Sequence, residues 1–171
     1  MNLSNNVHNN IVLIGFMASG KSSIGQLLAS KTGRKFVDSD QVIERFEGKS
    51  INDIFTQNGE AYFRAQEQAC IHWMKQNLNN CVISTGGGMP IYSSGLEKVG
   101  KVIYLKAKFS TIVARLEAKE IEKRPLAKEI DSLENLYNER IEKYESSAFT
   151  SVDVDSNLDS IVNTIIKEYN E

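Results

Sequence analysis

The stretch Ile11-Val12-Leu13-Ile14-Gly15-Phe16-Met17-Ala18-Ser19-Gly20-Lys21-Ser22 decides the fold. Its first four residues are apolar and mostly β-branched, the composition of a strand buried on both faces. Its last eight fit G-x-x-x-x-G-K-[ST], the phosphate-binding P-loop. Glycines let successive backbone N–H groups turn inward around an anion. The helix pattern that follows (Ile24, Leu27, Leu28) adds its positive N-terminal end. Lys21 is then placed to reach the β- and γ-phosphates of a nucleotide, and the Ser22 hydroxyl to sit on Mg²⁺.

Outward from this stretch, short strand-like runs alternate with helical patterns. Strands are predicted at Ile11–Ile14, Lys35–Val37, Cys81–Ser84, Val102–Leu105 and Phe149–Val154. Helices are predicted at Lys21–Thr32, Gln41–Phe46, Ile51–Gln57, Glu60–Asn77, Ser110–Leu116, Ile130–Tyr144 and Leu158–Tyr169. Ser50 with Asp53 resembles a capping box. Alternation of this kind implies a parallel sheet with right-handed crossovers, and ligands bind at the carboxyl ends of its strands. The expected architecture is an α/β, three-layer α/β/α sandwich with a five-stranded parallel sheet of the P-loop NTP hydrolase type. The 171 residues suit a single domain, 1–171, with a sizeable core. Two segments stand apart from the sheet: a helical excursion at about 41–74 and a highly charged segment at about 117–129.

Composition narrows the partners. Charged residues are 25% and hydrophobic residues 41%, with a formal net charge of -2, a soluble globular balance. Nothing suggests a polyanion-binding surface, so nucleic acid is not expected as a partner. No apolar run approaches the roughly 20 residues of a membrane span. The polar, Asn-rich start has no signal-peptide core, so a cytoplasmic location is expected. Cys70 and Cys81 lack metal-ligand spacing, and His8 and His72 read as ordinary surface or core residues.

A P-loop serves GTPases, motor ATPases and small-molecule kinases alike. The GTP-switch patterns D-x-x-G and N-K-x-D are absent from the sequence. Strand three, Cys81-Val82-Ile83-Ser84-Thr85, ends without the metal-holding acid of an ordinary ATPase. The acids stand instead at the end of strand two, Asp38-Ser39-Asp40. In an extended segment positions i and i+2 point the same way, so both carboxylates could face one site; a turn or helix cap is the alternative. Thr85-Gly86-Gly87-Gly88 reads equally as a flexible turn or as a close-approach loop with N–H donors. Arg64 and Arg140 read singly as surface arginines; on one pocket they would recognise a carboxylate or phosphate bidentately. The charged segment reads as a solvated helix end or as a lid carrying Arg124 over the phosphates. The P-loop favours the lid, because phosphoryl transfer needs added positive charge and exclusion of water.

Taken together, these elements resemble the shikimate kinase family over nearly the whole chain, from Ile11 to about Ile166. The resemblance rests on the P-loop, Asp38-Ser39-Asp40, Phe63-Arg64, Gly86-Gly87-Gly88, Arg124-Pro125-Leu126, and Arg140 with Tyr144. It implies transfer of the γ-phosphoryl of MgATP to the 3-hydroxyl of shikimate, within chorismate and aromatic amino acid biosynthesis. It also implies the roles. Ala18, Ser19, Gly20, Lys21, Ser22 and Ser23 wrap ATP, and Lys21 binds its β- and γ-phosphates. Ser22 ligates Mg²⁺ directly and Asp38 holds it through water. Asp40 orients or deprotonates the 3-hydroxyl, and Arg64 and Arg140 clamp the shikimate carboxylate. Gly86, Gly87 and Gly88 line the substrate, with Gly87 donating its N–H. Arg124 contacts the transferring group, Arg115 aligns with an adenine-stacking arginine, and Asp153–Asn157 passes near the adenine. A monomer is expected.

One departure is visible. The family usually has Gly at the loop position held here by Ala18. If the backbone there requires a positive φ, Ala costs roughly 1 kcal/mol; if not, it costs nothing and stiffens the loop. Two other readings stand beside the main one: a kinase for a gluconate-like polyol acid, and a nucleotide-binding module without catalysis.

Overall fold

The computed structural model describes residues 9–119 and 127–170. Its elements run β1 (Ile11–Ile14), α1 (Lys21–Thr32), β2 (Lys35–Asp38), α2 (Ser39–Glu47), α3 (Ile51–Asn58), α4 (Glu60–Asn77), β3 (Cys81–Ser84), α5 (Met89–Tyr92), β4 (Lys101–Lys106), α6 (Phe109–Lys119), α7 (Ala127–Ser147), β5 (Thr150–Asp153) and α8 (Leu158–Asn170). The strands form one parallel sheet in the order β2-β3-β1-β4-β5, with helices on both faces. The expected α/β architecture is therefore present. Within the described residues, the charged segment predicted at 117–129 is α6 up to Lys119 and α7 from Ala127. Residues 120–126 between them, Arg124 included, lie outside the described residues.

Burial follows the strand order. Every residue of β1 and β3 is buried, as two-sided coverage demands, whereas the edge strand β2 is only half-buried. The register sets Leu13 against Ser84, Asp38 against Ser84, and Ile14 against Tyr104. The carboxyl ends of β1, β2 and β3 thus finish level. Thr85 locks two of them, its N–H and its hydroxyl both donating to the Leu13 carbonyl at 3.2 and 3.1 Å. At the opposite end the buried Asn10 side chain donates to the Leu78 and Val99 carbonyls and accepts from the Cys81 N–H.

The helical excursion is α2, α3 and α4. Its entry is sharper than the sequence pattern suggests, because α2 begins at Ser39, directly after β2. Ser50 caps α3, accepting from the Asp53 N–H at 3.1 Å, as expected. In α4, Phe63, Glu67, Cys70, Ile71 and Met74 are buried. Their spacing is one helix face, and Glu67 is the one charged residue in it. The four-residue α5, with Pro90 in its first turn, was not evident from periodicity. No helix among the described residues is long and apolar enough to cross a membrane.

Candidate active site

The P-loop lies between β1 and α1 and turns through three residues of positive φ: Gly15 at 152°, Ala18 at 57° and Gly20 at 96°. Gly20 occupies the N-cap position of α1, and no side chain caps the first turn, which leaves its N–H groups available to an anion. Lys21 folds back over the loop, its Nζ donating to the Gly15 and Phe16 carbonyls, each at 2.8 Å. Burial pulls the Lys21 pKa down to about 8, against the opposing pull of Asp40 and Asp38. Ser19 is buried, whereas Ser22 and Ser23 are exposed at the start of α1.

Ala18 meets the costlier of its two alternatives: an L-residue sits in the left-handed region. Its carbonyl accepts from Arg115 Nη1 at 3.0 Å, while Arg115 Nη2 donates to the Val154 carbonyl at 3.1 Å. Arg115 on α6 thereby ties the P-loop to the segment after β5. A pocket of about 390 Å³ opens there, lined by Ser23, Ile24, Arg115, Ser156, Leu158 and Ile161 among others. Within Asp153–Asn157, where the sequence singled out no residue, Ser156 is the one that lines it.

The acidic pair differs from the extended arrangement expected. Asp38 ends β2 and caps α2, its Oδ1 accepting from the N–H groups of Asp40 and Gln41 at 2.9 and 3.3 Å. Asp40 belongs to the first turn of α2. The two carboxylates come together through a strand-to-helix cap rather than through strand alternation. The physical reason is that two orphan N–H groups of a helix outcompete continued extension. Asp40 Oδ1 is buried and has no hydrogen-bond partner among the described residues. Burial, with Asp38 and Glu67 nearby, pushes the Asp40 pKa up to about 6.

The glycine loop is a close-approach loop. The Gly86 N–H donates to Ser39 Oγ at 3.0 Å, and a Cβ at Gly86 would lie 2.8 Å from Asp40 Oδ1. A Cβ at Gly88 would collide with Arg64 Nη1. The Gly87 carbonyl accepts from the Tyr144 hydroxyl at 2.7 Å. That hydroxyl's pKa is pushed up to about 12 by burial, so it remains a donor. Tyr144 stacks on Tyr104 of β4, and Tyr137 packs edge-on to Phe16 of the P-loop. These two tyrosines fix one face of α7, and Arg140 between them lies 5.9 Å from the Phe16 ring centre.

Arg64 on α4 donates through Nη1 to Glu67 Oε2 at 2.7 Å and through Nη2 to Glu60 Oε1 at 3.0 Å. Glu67 is almost fully buried. Burial raises its pKa, with Arg64 and then Arg140 acting in the opposite direction. Asp40, Arg64, Arg140 and the three glycines thus gather beside the P-loop. The structure adds three residues that the sequence reading gave no role of their own: Glu67, Ser39, and Tyr92, whose ring centre lies 4.0 Å from the Arg64 Cζ. For Glu67 a signal existed, since a carboxylate on the apolar stripe of α4 needs a buried partner.

This fold and site define a P-loop enzyme of the small-molecule kinase class. The shikimate kinase family model matches residues 17–170. A shikimate kinase of Helicobacter hepaticus is 45% identical over 158 residues, covering 92% of this chain and 94% of that protein. The structure of shikimate kinase from Acinetobacter baumannii in complex with shikimate superimposes with a TM-score of 0.80 at 26% identity, covering 95% and 93% of the two chains. Shikimate kinase from Bacteroides thetaiotaomicron superimposes with a TM-score of 0.84 at 26% identity, covering 95% and 98%. The chain belongs to the shikimate kinase family.

Proposed function

We propose that this chain, working as one domain, transfers the γ-phosphoryl of MgATP to the 3-hydroxyl of shikimate, giving shikimate 3-phosphate and ADP. The observation that carries the reading is one glycine loop packed against the P-loop backbone that holds Lys21, against Asp40 with its buried unpartnered oxygen, and against Arg64, with Arg140 beside the P-loop's Phe16. A phosphate end and a carboxylate end then face each other across the group to be moved.

In this reading ATP lies along residues 18–23, its base in the pocket beside Arg115, Ser156 and Leu158. Lys21, already aimed across the loop, exchanges its carbonyl partners for phosphate oxygens. Bound phosphate favours the charged ammonium and offsets the downward pull of burial. Asp40 accepts a hydrogen bond from the attacking hydroxyl and draws off its proton as the bond to phosphorus forms. Its upward-shifted pKa makes it a better proton acceptor than an ordinary aspartate. Arg64 and Arg140 take the shikimate carboxylate, and Gly87 donates its N–H to substrate. The lid residue Arg124, outside the described residues, is assigned to the transferring phosphoryl group.

The donor set suits Mg²⁺, which keeps several waters and needs few protein ligands beside phosphate oxygens. Asp38 has one oxygen committed to the α2 cap and a second without a hydrogen bond among the described residues, and Ser22 is exposed at the head of α1. Ser22 would hold the ion directly and Asp38 through water; when bound, it neutralises charge on the β- and γ-phosphates.

Acceptor profiling tests the reading. ADP release is expected with shikimate and not with gluconate. Turnover of gluconate without shikimate would transfer the assignment to a polyol-acid kinase.

A further inference from the structure

We propose that Tyr92 is a positioning residue for the acceptor: its ring holds the Arg64 guanidinium, and flanks that of Arg140, so that both present N–H edges to one carboxylate. The proposal rests on the reading that these two arginines bind that carboxylate.

Tyr92 ends α5, the short helix that follows the glycine loop. Its side chain does not serve the core, for the residue is 51% exposed. The Arg64 Cζ lies 4.0 Å from the Tyr92 ring centre, nearer than to Phe63 at 5.3 Å or Phe55 at 5.9 Å. The Arg140 Cζ lies 5.8 Å from the same ring. One ring therefore serves two cations brought in by different helices, α4 and α7.

The donor count shows what this contact adds. Arg64 has five N–H donors. Nε and Nη2 donate to Glu60, and Nη1 donates to Glu67. One N–H remains on each terminal nitrogen, open to a carboxylate. Glu60 and Glu67 both belong to α4, so they hold the guanidinium relative to its own helix only. Tyr92 comes from the glycine-loop side and fixes the same group relative to the pocket wall. A cation–π contact uses the ring face and consumes no N–H. It orders a long side chain in advance, lowering the entropy lost when the acceptor binds.

The test compares Tyr92→Leu and Tyr92→Phe with the unaltered enzyme, reading kcat and both KM values, with Arg64→Ala as reference. Tyr92→Leu is expected to raise the shikimate KM roughly 3- to 10-fold, the size of a partly exposed cation–π contact. The ATP KM and kcat are expected to stay within about twofold, since the lost interaction acts on acceptor binding alone. Tyr92→Phe, which keeps the ring, restores the shikimate KM. An unchanged shikimate KM in Tyr92→Leu, equal losses in kcat and ATP KM, or a Phe variant as poor as the Leu variant would each overturn the proposal. Arg64→Ala separates the two levels. If it raises the shikimate KM while Tyr92→Leu does not, the Tyr92 proposal alone fails. If shikimate is not turned over, or Arg64→Ala leaves its KM unmoved, the carboxylate reading fails and the proposal with it.

Discussion

The two halves of the candidate site are built from different material. The nucleotide half is mostly backbone: the positive-φ turn of residues 15–20, the open first turn of α1, and a lysine resting on two carbonyls. The acceptor half is side chains from α2, α4, α5 and α7, spread from Asp40 to Tyr144 and gathered around the glycine loop. Backbone can grip phosphate wherever the chain turns correctly, so that half is contiguous. A carboxylate beside hydroxyls needs cations and an acceptor in a set geometry, which only tertiary packing supplies. Changes on one side should therefore leave the other side's binding constant alone.

Lys21→Met should have the largest effect. Loss of a preorganised cation at the transferring group should cut kcat by about 10²- to 10³-fold, while a cooperative thermal melt shows the chain still folded. Arg64→Ala and Arg140→Ala come next. Each should raise the shikimate KM roughly 10- to 100-fold, the worth of hydrogen bonds to a charged group. An equal rise in ATP KM would break the separation between the halves.

The pH response sharpens the comparison, because each half supplies one titrating group. In the free enzyme Asp40 should ionise near about 6 and Lys21 should lose its proton near about 8. The profile of kcat/KM for shikimate should rise through the first value, and that for MgATP at low shikimate should fall through the second, because bound phosphate holds Lys21 charged. An acid limb down in the ordinary aspartate range would contradict the Asp40 assignment. Stability should follow the same group with a definite sign. Asp40 is raised above its unfolded value, so its contribution is fully present below about 3.8 and lost as the pH rises through about 6. Asp40→Asn should thus gain about 1–2 kcal/mol in urea unfolding at pH 7.5, with no gain at pH 3, while losing activity. The smallest effect is expected from Ala18→Gly. Relief of the left-handed strain should stabilise by at most about 1 kcal/mol, part of it cancelled by the freer unfolded chain.

This contrast also explains what the sequence made legible. β1, the P-loop and α1 were readable because strand, turn and helix signals sit within 22 consecutive residues, 11–32. The Asp38–Asp40 pair was readable as chemistry but not as geometry, since the same residues suit strand alternation or a cap and only the start of α2 decides. Arg64 and Arg140 were nameable through family resemblance, yet their shared partner Tyr92 was not. It sits in a four-residue helix too short for periodicity to register. Glu67 stands out in sequence only as a carboxylate on the apolar stripe of α4, which signals a buried partner without saying what covers it. Its burial comes from α4 packing beneath the glycine loop. The strand order β2-β3-β1-β4-β5 follows from crossover packing that no local pattern encodes.

The central claim is that one glycine loop brings a phosphate half and an acceptor half into register for transfer. Initial-rate ADP release with saturating MgATP and increasing shikimate tests it most directly. Saturable, shikimate-dependent release with equimolar shikimate 3-phosphate is the expected result. A folded protein that binds ATP yet releases no ADP in response to shikimate would contradict the claim and favour a nucleotide-binding module without catalysis.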